Sequence, residues 1–187
     1  MTQSLPARLA LFAVATLFFL WVSRHALRNP RAHGFFRFFA WECIAALVVL
    51  NAPRWEAEPF SPRQLVSWLL LFLSPWLAWL GVHALKARGQ PDARRADAEL
   101  LAFERTTRLV TQGVFRHIRH PMYAALLALA WGAYLKDVSP ASTALVALCS
   151  LMLLLTAQRD EAECLAHFGP DYAQYMQRSK RFIPGVF

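Results

Sequence analysis

Cysteine is scarce in this 187-residue chain: three residues, Cys43, Cys149 and Cys164, dispersed and never in a CxxC pair. That excludes a disulfide framework and a CxxC zinc site. Acids are also few, 12 against 20 Lys and Arg, for a net charge of +8. There is no internal repeat and no low-complexity stretch, which excludes a solenoid. No basic groove interleaved with aromatics lies outside the apolar flanks, so nucleic acid is not an expected partner. What the chain has in excess is apolar residues, 57% of the total, with a mean hydropathy of +0.31. A soluble domain carries roughly half even when Gly is counted.

The apolar residues fall in blocks, and the blocks predict an all-α, polytopic membrane protein of about five transmembrane helices with a C-terminal cytoplasmic helical tail. The expected spans are 9–22 (extendable to 27), 35–50, 64–85, 121–135 and 140–157. The first could be read as a signal peptide, but no A-x-A cleavage site follows it. The chain reads as one membrane-embedded domain, 1–187, divided into three N-terminal spans (1–85), a connector (86–120), a helical hairpin (121–157) and a tail (158–187). Basic residues cluster after spans one, three and five. By the positive-inside rule the N-terminus is then outside, with the connector and tail in the cytoplasm of what reads as a bacterial inner membrane. The same residues would contact anionic lipid headgroups.

Details of the blocks carry further expectations. Glu42 lies within the second span, where a carboxylate is expected to pair with a His or Arg. Ser74-Pro75 predicts a kink in the third span. Trp68, Trp76 and Trp79 read as interface anchors, and His83 as an interfacial histidine. Residues 93–103 read as an amphipathic surface helix. The fourth span holds about 15 residues, roughly 22 Å against a hydrocarbon core of roughly 30 Å, so one end must be recessed. Gly169-Pro170 should stop the fifth helix, and 181–184 should end the chain in extended form.

The stretch with chemistry in it is Gly113-Val114-Phe115-Arg116-His117-Ile118-Arg119-His120-Pro121-Met122-Tyr123. Pro121 suits a first helical turn, and His120 before it is pushed towards extended backbone. Arg119 and His120 are thus held beside the N–H groups of a helix N-terminus, which attracts carboxylates. If the last two spans form a hairpin, Asp160 and Glu161 emerge beside this turn. Arg119, His120, Tyr123, Glu161 and Tyr172 then share one face, with groups suited to a carboxylate, an amine or ribose, and a cation. An amino-acid nucleoside carries all three, though the spacing does not single it out.

Leu109-Val110-Thr111-x-Gly113, Arg119-His120-Pro121-x-Tyr123, the acidic pair and Phe168-Gly169-x-x-Tyr172-x-x-Tyr175 together resemble the isoprenylcysteine carboxyl methyltransferase and phospholipid methyltransferase group over the last 80 or so residues. The resemblance implies an integral-membrane enzyme using S-adenosylmethionine on a lipophilic, membrane-accessible acceptor. It places Arg119, His120, Pro121, Tyr123, Glu161 and Tyr172 around that cofactor, with Arg119, His120 and Glu161 nearest the chemistry. Where the group has Gly-Pro-Tyr, Glu-Glu and a frequent glycine, this chain has Gly113-Val114-Phe115, Asp160-Glu161 and Ala125. No metal is expected. The rival readings are a non-catalytic membrane scaffold, a membrane reductase using NADPH, and a zinc site of His117, His120 and Cys164. The last lacks the usual i, i+4 histidine spacing.

Overall fold

A computed structural model describes residues 4–90, 100–102 and 104–186. These form six α-helices and no β-strand: α1 Leu5–Ser23, α2 His33–Asn51, α3 Pro62–Arg88, α4 Pro121–Tyr134, α5 Pro140–Phe168 and α6 Pro170–Arg178. Four of them, α1, α2, α3 and α5, are long and apolar enough to cross a membrane. The fifth apolar helix, α4, has 14 residues, which is roughly 21 Å at the α-helical rise. Most of the amphipathic helix expected over 93–103 lies outside the described residues.

Helix starts follow the sequence signals. Proline occupies the first turn of α3, α4, α5 and α6, where no N–H is needed. Ser139 and Ser142 close a reciprocal capping box at the start of α5. Gly169 ends that helix at φ 58°, ψ −133°, backbone that side-chain-bearing residues rarely adopt. Helix α3 runs on through Pro75.

The core is built on α2, α4 and α5. Ala40, Cys43, Ile44 and Leu47 repeat at helical spacing along α2 and bury against Val146, Cys149, Leu153 and Ala157 of α5. Helix α1 lies outside this core, and its Leu9, Val14, Leu17 and Trp21 are exposed. Helices α3 and α4 approach closely because small residues line the contact. A Cβ on Gly81 would lie 3.0 Å from Met122 Cγ, and one on Gly132 2.9 Å from Leu71 Cγ.

The short helix α4 ends among polar side chains. Ser67, Asn51, Gln64 and Arg63 donate to the carbonyls of Gly132, Ala133, Lys136 and Leu135, the first two at 2.7 and 2.8 Å. Helix-end carbonyls withdrawn from water need such donors. Lys136 follows, fully buried, with its ammonium 3.3 Å from the Trp68 ring centroid and 5.3 Å from that of Trp55. It donates to Gln64 Oε1 at 3.0 Å. Trp68 is therefore half of a cation cage, a task its sequence did not suggest. Trp76 and Trp79 are exposed, and Trp79 stacks on His83.

Two expectations are corrected. Among the described residues Glu42 pairs with neither His nor Arg: its Oε2 accepts from the Thr16 hydroxyl at 2.8 Å, because α1 is the neighbour on that side of α2. The tail is not extended after α6. It bends and turns over 181–186 with Phe182 buried, because main-chain bonds fasten it to the turn before α4.

Candidate active site

The turn before α4 is held from three sides. Gly113–Arg116 is a 310 turn with Phe115 buried, and the Tyr175 hydroxyl of α6 donates to the Phe115 carbonyl at 2.6 Å. Ile118 and Lys180 form a parallel bridge. The N–H groups of Arg119 and His120 donate to the carbonyls of Lys180 and Arg181 at 2.7 and 3.2 Å. The C-terminal segment thus fixes the backbone of the residues that precede Pro121. His120 has φ −122° and ψ 63°: its φ is the one a following proline favours, while its ψ falls short of the extended range.

Behind this turn Glu161 gathers cations. Its Oε1 accepts from Arg119 Nε at 3.0 Å and Arg181 Nε at 3.1 Å, and Oε2 accepts from Arg181 Nη2 at 2.7 Å. His120 Nε2 is 3.3 Å from Oε1. Arg119 Nη1 donates to the carbonyls of Met176 and Ser179. Every guanidinium nitrogen of Arg119 therefore has a protein partner, since Nη2 is also 3.0 Å from Glu161.

Asp160 points the other way. Its Oδ2 accepts from the Tyr123 hydroxyl at 3.0 Å and lies 3.4 Å from His120 Nδ1. His120 is thereby held between two carboxylates, and its ring stacks on Tyr123. Burial disfavours the charge on His120, but the hydrogen bonds and fields of Asp160 and Glu161 outweigh it, so its pKa lies above the ordinary histidine value.

A cavity opens in front of Asp160, with about 810 Å³ of empty space when its mouth is included. Its floor is the basic turn and the start of α4, with Arg119, His120, Pro121 and Tyr123. One wall is the end of α5 and the start of α6, with Asp160, Glu163, Cys164, Tyr172 and Tyr175. Beside Tyr172 and Tyr175 the lining is apolar, from Leu85, Leu109, Val110 and Phe115. The remaining wall is a second charged network. Glu163 bonds the main-chain N–H and Nδ1 of His33, at 2.8 and 2.7 Å, and Glu104 bonds Arg37 at 2.5 Å. Burial disfavours the Glu104 charge, but Arg37 and His33 hold its carboxyl below the usual range.

Five of the six residues expected around a cofactor, Arg119, His120, Pro121, Tyr123 and Tyr172, line this cavity. Glu161 is beside them but is not part of the lining; Asp160 is. The sequence contained a signal for this. Asp160, Glu163, Cys164, His167 and Phe168 repeat at helical i, i+3, i+4 spacing and form one face, and Glu161 is off it. His33 and Glu104 had no such signal. His117 is exposed and outside the cavity. Among the described residues, the side chains close enough to share an ion are His33, Asp160 and Glu163, a set without His117.

A helical bundle with four membrane-length apolar helices has the make-up of an integral-membrane protein, and this one carries an open, charged cavity. The phospholipid methyltransferase family model matches residues 63–169, more than half of the chain, and the chain belongs to that family. It is accordingly a membrane methyltransferase. No curated protein and no solved structure matches it.

Proposed function

We propose that the protein transfers a methyl group from S-adenosylmethionine to a lipophilic acceptor that reaches the cavity from the membrane. The observation that carries this reading is the single cavity face shared by Arg119, His120, Pro121 and Tyr123 with the acidic end of α5 and Tyr172 of α6. The residues suit the cofactor's groups. Asp160 and Glu163 offer carboxylates to a cation, and Tyr123 and Tyr172 offer ring faces. The N–H groups in the first turn of α4 suit a carboxylate.

When bound, S-adenosylmethionine supplies an electrophilic methyl group on a sulfonium. The chain's part is to orient and to exclude water. Asp160 and Glu163 seat the cationic end, and Leu85, Leu109, Val110 and Phe115 keep the apolar side dry. Holding two reactants in line supplies much of the acceleration of such a transfer. Arg119 and Glu161 act by position: they lock the turn to the C-terminal segment so that His120 and Tyr123 face Asp160. His120 favours its charged form, so a proton arriving on the acceptor would pass to a carboxylate.

By the loop charges the cavity faces the cytoplasm. Reporter fusions near Glu56 and at the C-terminus should then report opposite sides; the same side for both overturns this orientation. The activity is tested by incubating purified protein with methyl-labelled S-adenosylmethionine and a total lipid extract. Label recovered in a lipid supports the reading and identifies the acceptor. Cofactor that neither binds nor transfers label overturns it, and NADPH binding in its place would favour a reductase.

A further inference from the structure

His33 lines the cavity although it lies outside the family-matched stretch. It starts α2 and is 1% exposed. Its Nδ1 is 2.7 Å from Glu163 Oε2, and its main-chain N–H donates to Glu163 Oε1 at 2.8 Å. Its Nε2 has two neighbours of opposite kind: Glu104 Oε2 at 3.7 Å and the donor Arg37 Nη1 at 3.4 Å. A charged imidazole donates through both nitrogens, and a neutral one donates through one and accepts through the other. The surroundings of His33 serve both states without a turn of the ring. Charged, Nε2–H points towards Glu104. Neutral, Nε2 accepts from Arg37, and Nδ1–H stays on Glu163.

The ring stands close to both cavity acids: one polar atom each of His33, Asp160 and Glu163 lie within 4.8 Å of one another. Asp160 is further bonded by Tyr123 and His120 at the start of α4 and by the Cys164 thiol at 3.5 Å. A positive ligand group against Asp160 and Glu163 would stand within a few ångströms of a charged His33. Like charges so close disfavour one another strongly in a shielded site.

We propose that His33 is the cavity's own counter-cation: a cationic ligand group seated against Asp160 and Glu163 takes over its charge, and His33 releases a proton as the ligand binds. This rests on the cofactor reading given under Proposed function. It predicts that affinity for a cationic ligand rises with pH, by up to about tenfold per unit where a whole proton is released.

The test is titration calorimetry of the purified full-length protein with S-adenosylmethionine at about pH 7, in phosphate and in Tris, which differ in ionisation heat. The expected result is release of close to one proton by the unaltered protein and almost none by His33→Gln. That variant keeps the main-chain bond to Glu163. Binding without release in the unaltered protein overturns the inference alone. Release that persists in His33→Gln assigns the proton to another group, such as His120, and also overturns it. No binding at all overturns the cofactor reading and this inference with it. Should His33→Gln not fold, the same titration on His120→Gln decides: release that persists there supports the inference, and release lost with His120, or an affinity of the unaltered protein that is flat between pH 6 and 7, overturns it.

Discussion

Helix α4 buries a cation at each end, and the two ends do different things with it. At its start, Arg119 and His120 are matched with Asp160 and Glu161, and a cavity opens beside them. At its finish, Lys136 is enclosed by Trp55, Trp68 and Gln64, and among the described residues no carboxylate pairs with its ammonium. The far end uses its cation to close a turn against α3, while the near end keeps acids accessible to something else. Buried charge alone does not mark a functional site in a membrane protein. Buried charge whose acids line open space is the better guide to one.

The comparison breaks or holds on crossed measurements. The largest effect expected is on stability at the far end. Lys136→Ala empties a fully buried site and strips Gln64 of a partner, so it should cost about 2–5 kcal/mol. S-adenosylmethionine affinity, measured on the folded fraction, should hold. If affinity falls with it, the two ends are coupled and the contrast is wrong.

At the cavity end the order reverses. Asp160→Asn should lower cofactor affinity by about 1.5–3 kcal/mol, the worth of a hydrogen bond to a charged group, with a smaller loss of thermal stability. Glu161→Gln should do the opposite, because it loosens Arg119 and Arg181 without removing a cavity group. Calorimetry and thermal melts on both variants separate the roles. A larger affinity loss in Glu161→Gln would return the ligand contact to Glu161.

A third variant probes what joins the ends. Gly132→Val pushes a side chain into Leu71 and should cost about 1–3 kcal/mol by overpacking, read as a lower melting temperature. An unchanged melt would mean that α3 and α4 can separate slightly at no cost.

The smallest effects are in the pH profile. Glu104 has a lowered pKa in the folded protein, so its contribution to stability is present above pH 4.5 and is lost as pH falls. His120 has a raised pKa, so its contribution is full below pH 6.5 and is lost as pH rises past the folded value. Lys136 is lowered to about 8 by burial. Its unfolded form binds the proton more tightly, so stability should rise between pH 8 and 10.5. Melts of Lys136→Met across that interval should lack the rise; a rise that persists assigns it elsewhere.

Much of the architecture was legible along the chain. Apolar runs, proline at helix starts and Gly169-Pro170 are local signals, because burial and backbone freedom act within a few residues. The same holds for the turn from Arg119 to Tyr123, whose shape follows from Pro121. Adjacent acids were harder. Neighbours on a helix point about 100° apart, so Asp160 and Glu161 share His120 but not one face; the row from Asp160 to Phe168 marks a face, and the rotation of α5 against α4 turns that face to the cavity.

Sequence by itself determined that this protein is a helical membrane protein with a basic turn at the mouth of a short apolar helix. A hairpin of the last two spans brought the turn and the acids after the fifth apolar run together, and the family resemblance added the last tyrosines. Tertiary structure alone decided the rest. His33 reaches Glu163 across 130 positions, and Lys136 finds Gln64 across 72. The tail bends to hold Arg119 and His120 by main-chain bonds that carry no residue signature. Such partners are chosen by how whole helices pack, and packing is a property of all the faces at once, which no local stretch encodes.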